Sequence, residues 1–108
     1  MSLYALNLFD VADNEDYLAY SRRSPGAVAR HGGRVVALGR HARHSAQVGD
    51  TEPRQALVLV EWRDREAFDG FLADPELAEL HPLRENGTSR YIWWMFDRID
   101  DLRPLLRS

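Results

Sequence analysis

Six consecutive bulky apolar residues, Tyr91-Ile92-Trp93-Trp94-Met95-Phe96, constrain this chain more than any other stretch. The run is too short to span a bilayer, and Asn86-Gly87 before it and Asp97 after it mark its ends, so it reads as a β-strand. Side chains alternate along a strand, which puts Tyr91, Trp93 and Met95 on one face and Ile92, Trp94 and Phe96 on the other. Burying one indole removes about 200 Å² from water, worth at most about 5 kcal/mol, so both faces of this strand call for cover.

The 108 residues suit one domain, residues 1–108, able to bury roughly 60–65% of its unfolded surface around a single core. A net charge of −3 with acids and bases interleaved offers no basic stripe, so neither nucleic acid nor a membrane surface is expected as a partner. No cysteine is present, which removes disulfides and thiolate chemistry. With no leader-like N-terminus and no apolar window of membrane-spanning length, a soluble cytoplasmic protein is the expectation.

Read in order, residues 3–9 form a first strand apolar nearly throughout and interrupted by Asn7. Residues 10–14 turn, and Asp13 is the expected N-cap of a helix running to about His31, with Ser24-Pro25 as a kink or restart. Gly32-Gly33 ends that helix and leads into a second strand over residues 34–38. A polar arm follows to Pro53, and Gln55 to Trp62 makes a third strand, apolar on both faces and suited to the sheet centre. Asp64 caps a second helix with Phe68, Phe71 and Leu72 at helical spacing; Asp74-Pro75 restarts it to Leu80, and His81-Pro82 stops it. Residues 83–89 read as a polar loop, and residues 98–106 as a terminal turn packed by Leu102, Leu105 and Leu106.

The resulting order, β-α-β-β-α-β, is the split arrangement of ferredoxin-like α+β folds: a four-stranded antiparallel sheet with two helices on one face. The opposite face is then bare and aromatic, and a second copy related by a two-fold axis is the expected cover, giving a homodimer paired sheet to sheet.

Asp16-Tyr17-Leu18-Ala19-Tyr20, Pro25 and His31-Gly32-Gly33-Arg34, followed by Glu61-Trp62-Arg63-Asp64-Arg65-Glu66-Ala67-Phe68, resemble the dimeric α+β barrel superfamily. The His-Gly-Gly-Arg stretch is most similar to its branch known as domain of unknown function 1330, and the second half to the antibiotic-biosynthesis monooxygenase branch. Together these resemblances cover about residues 3 to 97. They imply a dimeric barrel and, among the superfamily's activities, cofactorless oxygenation or the proton transfers of isomerisation and cyclisation on a hydrophobic aromatic or polyketide-like molecule. No cofactor is then expected. A rival reading is a non-catalytic ligand-binding or stress-associated dimer. The haem-degrading branch carries an Asn, a Trp and an iron-ligating His; Asn7 and His81 match, but Phe71 stands at the Trp position, so haem chemistry is the least favoured alternative.

Asn7, His31 and His81 are the catalytic candidates. Asn7 either orients a substrate carbonyl or dioxygen or ties its strand to a neighbouring loop. His81 and Arg84 either face the cavity as base and anion clamp or complement a helix dipole. His31 and Arg34 either hold a carboxylate or enolate or form a turn whose Arg pairs with a surface acid. Tyr17, Trp62, Phe71 and Trp94 are candidates to line a pocket for a planar ring, with core filling as the plainer role of each. His41-x-x-His44 would point its rings to opposite faces of a strand and lacks a third ligand, so no metal site is expected.

Overall fold

The computed structural model describes residues 2–42 and 48–106. β1 (Leu3–Val11), α1 (Asp16–Arg30), β2 (Gly33–Arg40), β3 (Ala56–Trp62), α2 (Arg65–Ala73), a 3₁₀ turn (Pro75–Leu77), α3 (Leu80–Asn86), β4 (Thr88–Asp97) and a short α4 (Arg103–Leu106) follow in order. The four strands form one sheet in the order β2-β3-β1-β4, every neighbour antiparallel. This is the ferredoxin-like α+β arrangement.

The register explains where the core lies. Leu3, Ala5, Asn7 and Phe9 alternate with more exposed residues along β1, and all four are buried on the helix side. Asn7 stands between Val58 of β3 and Trp93 of β4, so the aromatic strand presents Tyr91, Trp93 and Met95 to the same layer. Against them pack Tyr20, Ala27 and Val28 of α1 and Phe68 and Phe71 of α2, with Trp62 edge-on to Phe68. Leu6 and Leu8 of β1, Leu57 and Leu59 of β3, and Ile92 point the other way, beside Trp94 and Phe96, which are 54% and 48% exposed in the single chain. The principal extents of 44 × 35 × 18 Å are those of one sheet with one helical layer.

Local chemistry differs from the sequence-based expectation in four places. The first turn of α1 is held by Asn14, not Asp13: its Oδ1 accepts the Asp16 N–H, while its Nδ2 donates to the Asn86 carbonyl. The helix runs through Pro25 unbroken, because tertiary packing of Tyr20 before it and Ala27 and Val28 after it outweighs the lost hydrogen bond. His81-Pro82 opens a helix instead of ending one. Pro82 falls in the first turn of α3, where an N–H has no intrahelical partner to lose, so the expected polar loop is largely helical. The terminal leucines do not pack: Leu102, Leu105 and Leu106 are 61%, 73% and 78% exposed.

Asp64 caps α2 as expected, accepting the Ala67 N–H, and Asp74 caps the 3₁₀ turn by accepting from Glu76. The glycine pair divides its work. Gly32 takes a left-handed φ of 81°, whereas Gly33 is required by space: a Cβ there would lie 2.7 Å from both the Trp62 ring and Val28 Cγ1.

Gly33→Ala should therefore cost about 1–3 kcal/mol of stability by overpacking. Gly26→Ala, in α1 with nothing within 4 Å of the new methyl, should instead stabilise by about 0.5–1 kcal/mol. Urea denaturation of the two variants checks the contrast in sign.

Candidate functional site

Between the sheet and α1 lies a cavity of about 60 Å³. It holds a few water-sized groups, well short of the roughly 300 Å³ at which drug-sized pockets begin. Of the sequence candidates, Asn7, Tyr17, Trp62 and Phe71 line it, and Tyr20, Tyr91 and Trp93 complete its aromatic wall.

Asn7 supplies the polar centre. Its Nδ2 donates to the carbonyls of Ala5 and Val58, 3.2 and 3.1 Å away, and its Oδ1 accepts from the Tyr91 hydroxyl. The amide ties β1 to strand β3, not to a loop, and holds the Tyr91 proton in a fixed direction. Burial raises the pKa of Tyr17 to about 12 and that of Tyr91 further. Both phenols stay protonated at neutral pH and act as donors, not bases. The indole Nε1–H groups of Trp62 and Trp93 are buried without an acceptor. No carboxylate is among the lining residues. The wall is rich in donors and lacks a base.

The remaining candidates lie elsewhere. His31, at the C-terminal end of α1, donates from Nε2 to Asp74 Oδ2 at 2.8 Å, which joins α1 to the 3₁₀ turn and holds the Asp74 carboxyl below its ordinary range. Arg34 points to the open face, where its guanidinium reaches Glu61 Oε1 at 2.8 Å and lowers the pKa of that carboxyl. The structure thus separates the two residues proposed to act as a cationic pair, because residues on either side of the Gly32-Gly33 turn fall on opposite sides of the sheet. Trp94 is also on the open face and does not line the cavity. His81 stacks edge-on against Phe71, with ring centroids 5.2 Å apart, and its Nδ1 accepts from Arg84 Nη1 at 3.1 Å, which assigns the ring proton to Nε2. That Nε2 is buried without a partner. Burial, reinforced by the Arg84 charge, depresses the His81 pKa.

Asn7, His31 and His81 therefore do not meet at one point. A cavity of this size also cannot admit a haem, and Phe71 fills the space beside His81. His44 of the His41-x-x-His44 pair lies outside the described residues, and among the described residues no group of three or more His, Asp or Glu side chains is placed to hold a metal ion. No helix among them is long and apolar enough to cross a membrane. Sequence reasoning did not single out Tyr91 and Trp93 as site residues. The alternation of β4 had put both on one face, and only the pairing of Asn7 with Trp93 turns that face toward the cavity.

Residues 2–96 match the family described as Domain of unknown function (DUF1330). Among curated proteins, none matches. Among solved structures, the chain is similar to a protein of unknown function from Rhodopseudomonas palustris, with 23% identity and a TM-score of 0.76 over 93% of this chain and 84% of that one. It is also similar to SnoaB, a cofactor-independent oxygenase from Streptomyces nogalater, with 17% identity and a TM-score of 0.64 over 94% and 97% of the two chains. A dimeric ferredoxin-like protein of unknown function from Jannaschia sp. CCS1 matches with 10% identity and a TM-score of 0.65, covering 91% of this chain and all of the other.

Two outcomes test the site's chemistry. Asn7→Ala should cost about 1–3 kcal/mol by orphaning the Tyr91 hydroxyl, and a double-mutant cycle with Tyr91→Phe should return a coupling above about 0.5 kcal/mol; additive effects would separate the two groups. For His81, the folded state favours the neutral ring, so the unfolded chain binds the proton more readily. Stability from this group is complete above the ordinary value of 6.5 and declines as pH falls below it. Thermal melting of His81→Gln should depend less on pH than the parent between about pH 7 and pH 5.

Proposed function

The chain belongs to the DUF1330 family, and from that premise we propose that it works as a homodimer that binds a small oxygen-bearing molecule in the cavity between sheet and helices. The observation that carries this reading is an aromatic cavity with one oriented polar centre, the Asn7–Tyr91 pair, among whose lining residues Trp62 and Trp93 also keep buried indole N–H groups without a protein acceptor. Unmet donors in an apolar interior cost free energy, and a ligand oxygen toward which either ring turns on binding would relieve that cost. The Asn7–Tyr91 pair supplies a fixed dipole on the same wall. Trp62, Phe71 and Tyr17 supply the apolar contact.

Such a wall suits reactions in which a substrate oxygen gains negative charge, as in oxygenation without a cofactor, isomerisation or cyclisation. SnoaB, of the same fold, is described as a cofactor-independent oxygenase. At about 60 Å³ the cavity supports a ligand of a few heavy atoms, or the polar end of a larger hydrophobic one, over a polycyclic ring held whole.

The homodimer reading has its own support. The open sheet face is continuous and apolar from Leu57 to Phe96, and dimeric proteins share this fold. In the dimer, Arg34 and Glu61 lie on the pairing face, and Trp94 serves the interface and not the pocket.

Acetone is a suitable neutral probe of the cavity. On titration into the intact protein, the indole N–H signals of Trp62 and Trp93 should shift saturably in proton–nitrogen correlation spectra, and Trp62→Phe should weaken the response of the remaining indole. Shifts that stay linear, or that appear only at surface residues, would contradict the proposal.

A further inference from the structure

We infer that the ligand of this cavity carries negative charge, as a small carboxylate or enolate, and that the buried guanidinium of Arg84 selects it; the inference rests on the cavity reading above. Arg84 projects from α3 and is only 7% exposed. A guanidinium does not lose its charge in a protein, and buried cations are ordinarily set against a carboxylate. Among the described residues the one carboxylate within reach is that of Glu85, whose Oε1 is 3.9 Å from Arg84 Nη2 and whose side chain is 69% exposed. The hydrogen bond that Arg84 makes goes to a neutral acceptor, His81 Nδ1. Its other contacts are ring faces: the guanidinium carbon lies 4.7 Å from the Trp93 centroid and 5.8 Å from that of Tyr20.

Trp93 and Tyr20 both line the cavity, so this positive charge rests against two residues of its wall without itself lining it. Its field reaches the cavity hydroxyls: burial raises the pKa of Tyr17 and Tyr91, and the charge on Arg84 works against that rise in both. A carboxylate within the cavity would meet a cation across a low-dielectric gap, with no lining carboxylate to oppose it and protonated tyrosines in the wall as donors to its oxygens. A neutral ligand of the same shape gains the donors but not the charge. An enolate formed from a bound carbonyl would gain both.

Propionate and propionamide match in size and differ in charge, and both are small enough for the cavity. They are titrated into the intact protein while the Trp62 and Trp93 indole signals are followed by proton–nitrogen NMR. Propionate should bind at least about ten-fold more tightly than propionamide, Arg84→Gln should abolish the preference, and Arg84→Lys, which keeps the charge, should retain it. Equal affinities in the parent protein would overturn the charge assignment while leaving the cavity reading in place. A preference that survives in folded Arg84→Gln, or that is lost in folded Arg84→Lys, would overturn the role of Arg84. No saturable shift with either probe up to on the order of 100 mM would overturn both readings.

Discussion

One thin sheet carries bulky apolar side chains on both of its surfaces, and the helices can cover only one of them. Everything else in the molecule is arranged by that inequality. β4 is its clearest expression: Tyr91, Trp93 and Met95 meet the helices, while Ile92, Trp94 and Phe96 emerge on the far side. The central strands repeat the pattern with Leu6, Leu8, Leu57 and Leu59. Together these residues make an apolar surface of the kind that soluble monomers seldom leave in water, and a flat sheet face is self-complementary across a two-fold axis.

The covered side shows a different economy. Aromatic packing around Trp62, Phe68, Phe71 and Trp93 is dense, yet polar groups are embedded in it: Asn7, the indole N–H groups, His81 and Arg84. Asn7 is fully engaged by backbone carbonyls and Tyr91, which makes it a rigid element of the wall. The indoles and Arg84 are engaged by rings more than by acceptors. A core selected for stability alone would have little use for a cation stacked between Tyr20 and Trp93 without a nearby buried carboxylate.

The element order and the sheet were legible because strong period-two runs, cap residues such as Asp64 and Asp74, and the Gly32-Gly33 pair speak locally. Helix α3 was not legible. Pro82 carries the same letter whether it stops a helix or sits in its first turn, and tertiary contacts of Leu80 and Arg84 decide which. The site was half legible for a similar reason. Alternation along β1 and β4 sorts Asn7, Tyr91 and Trp93 onto faces, but only inter-strand register brings them together, and register is not written in either strand alone. His31 and Arg34, close in sequence, are divided by the sheet itself, each drawn to a carboxylate, Asp74 or Glu61, that no local pattern announced.

Sedimentation equilibrium at micromolar concentration tests the central claim most directly. The account predicts twice the mass of the chain, with Leu6→Glu, which places a charge on a central strand of the open face between Leu59 and Trp94, shifting the protein toward a folded species of single mass. A parent protein that sediments as a stable, folded single chain with Trp94 in water would contradict it.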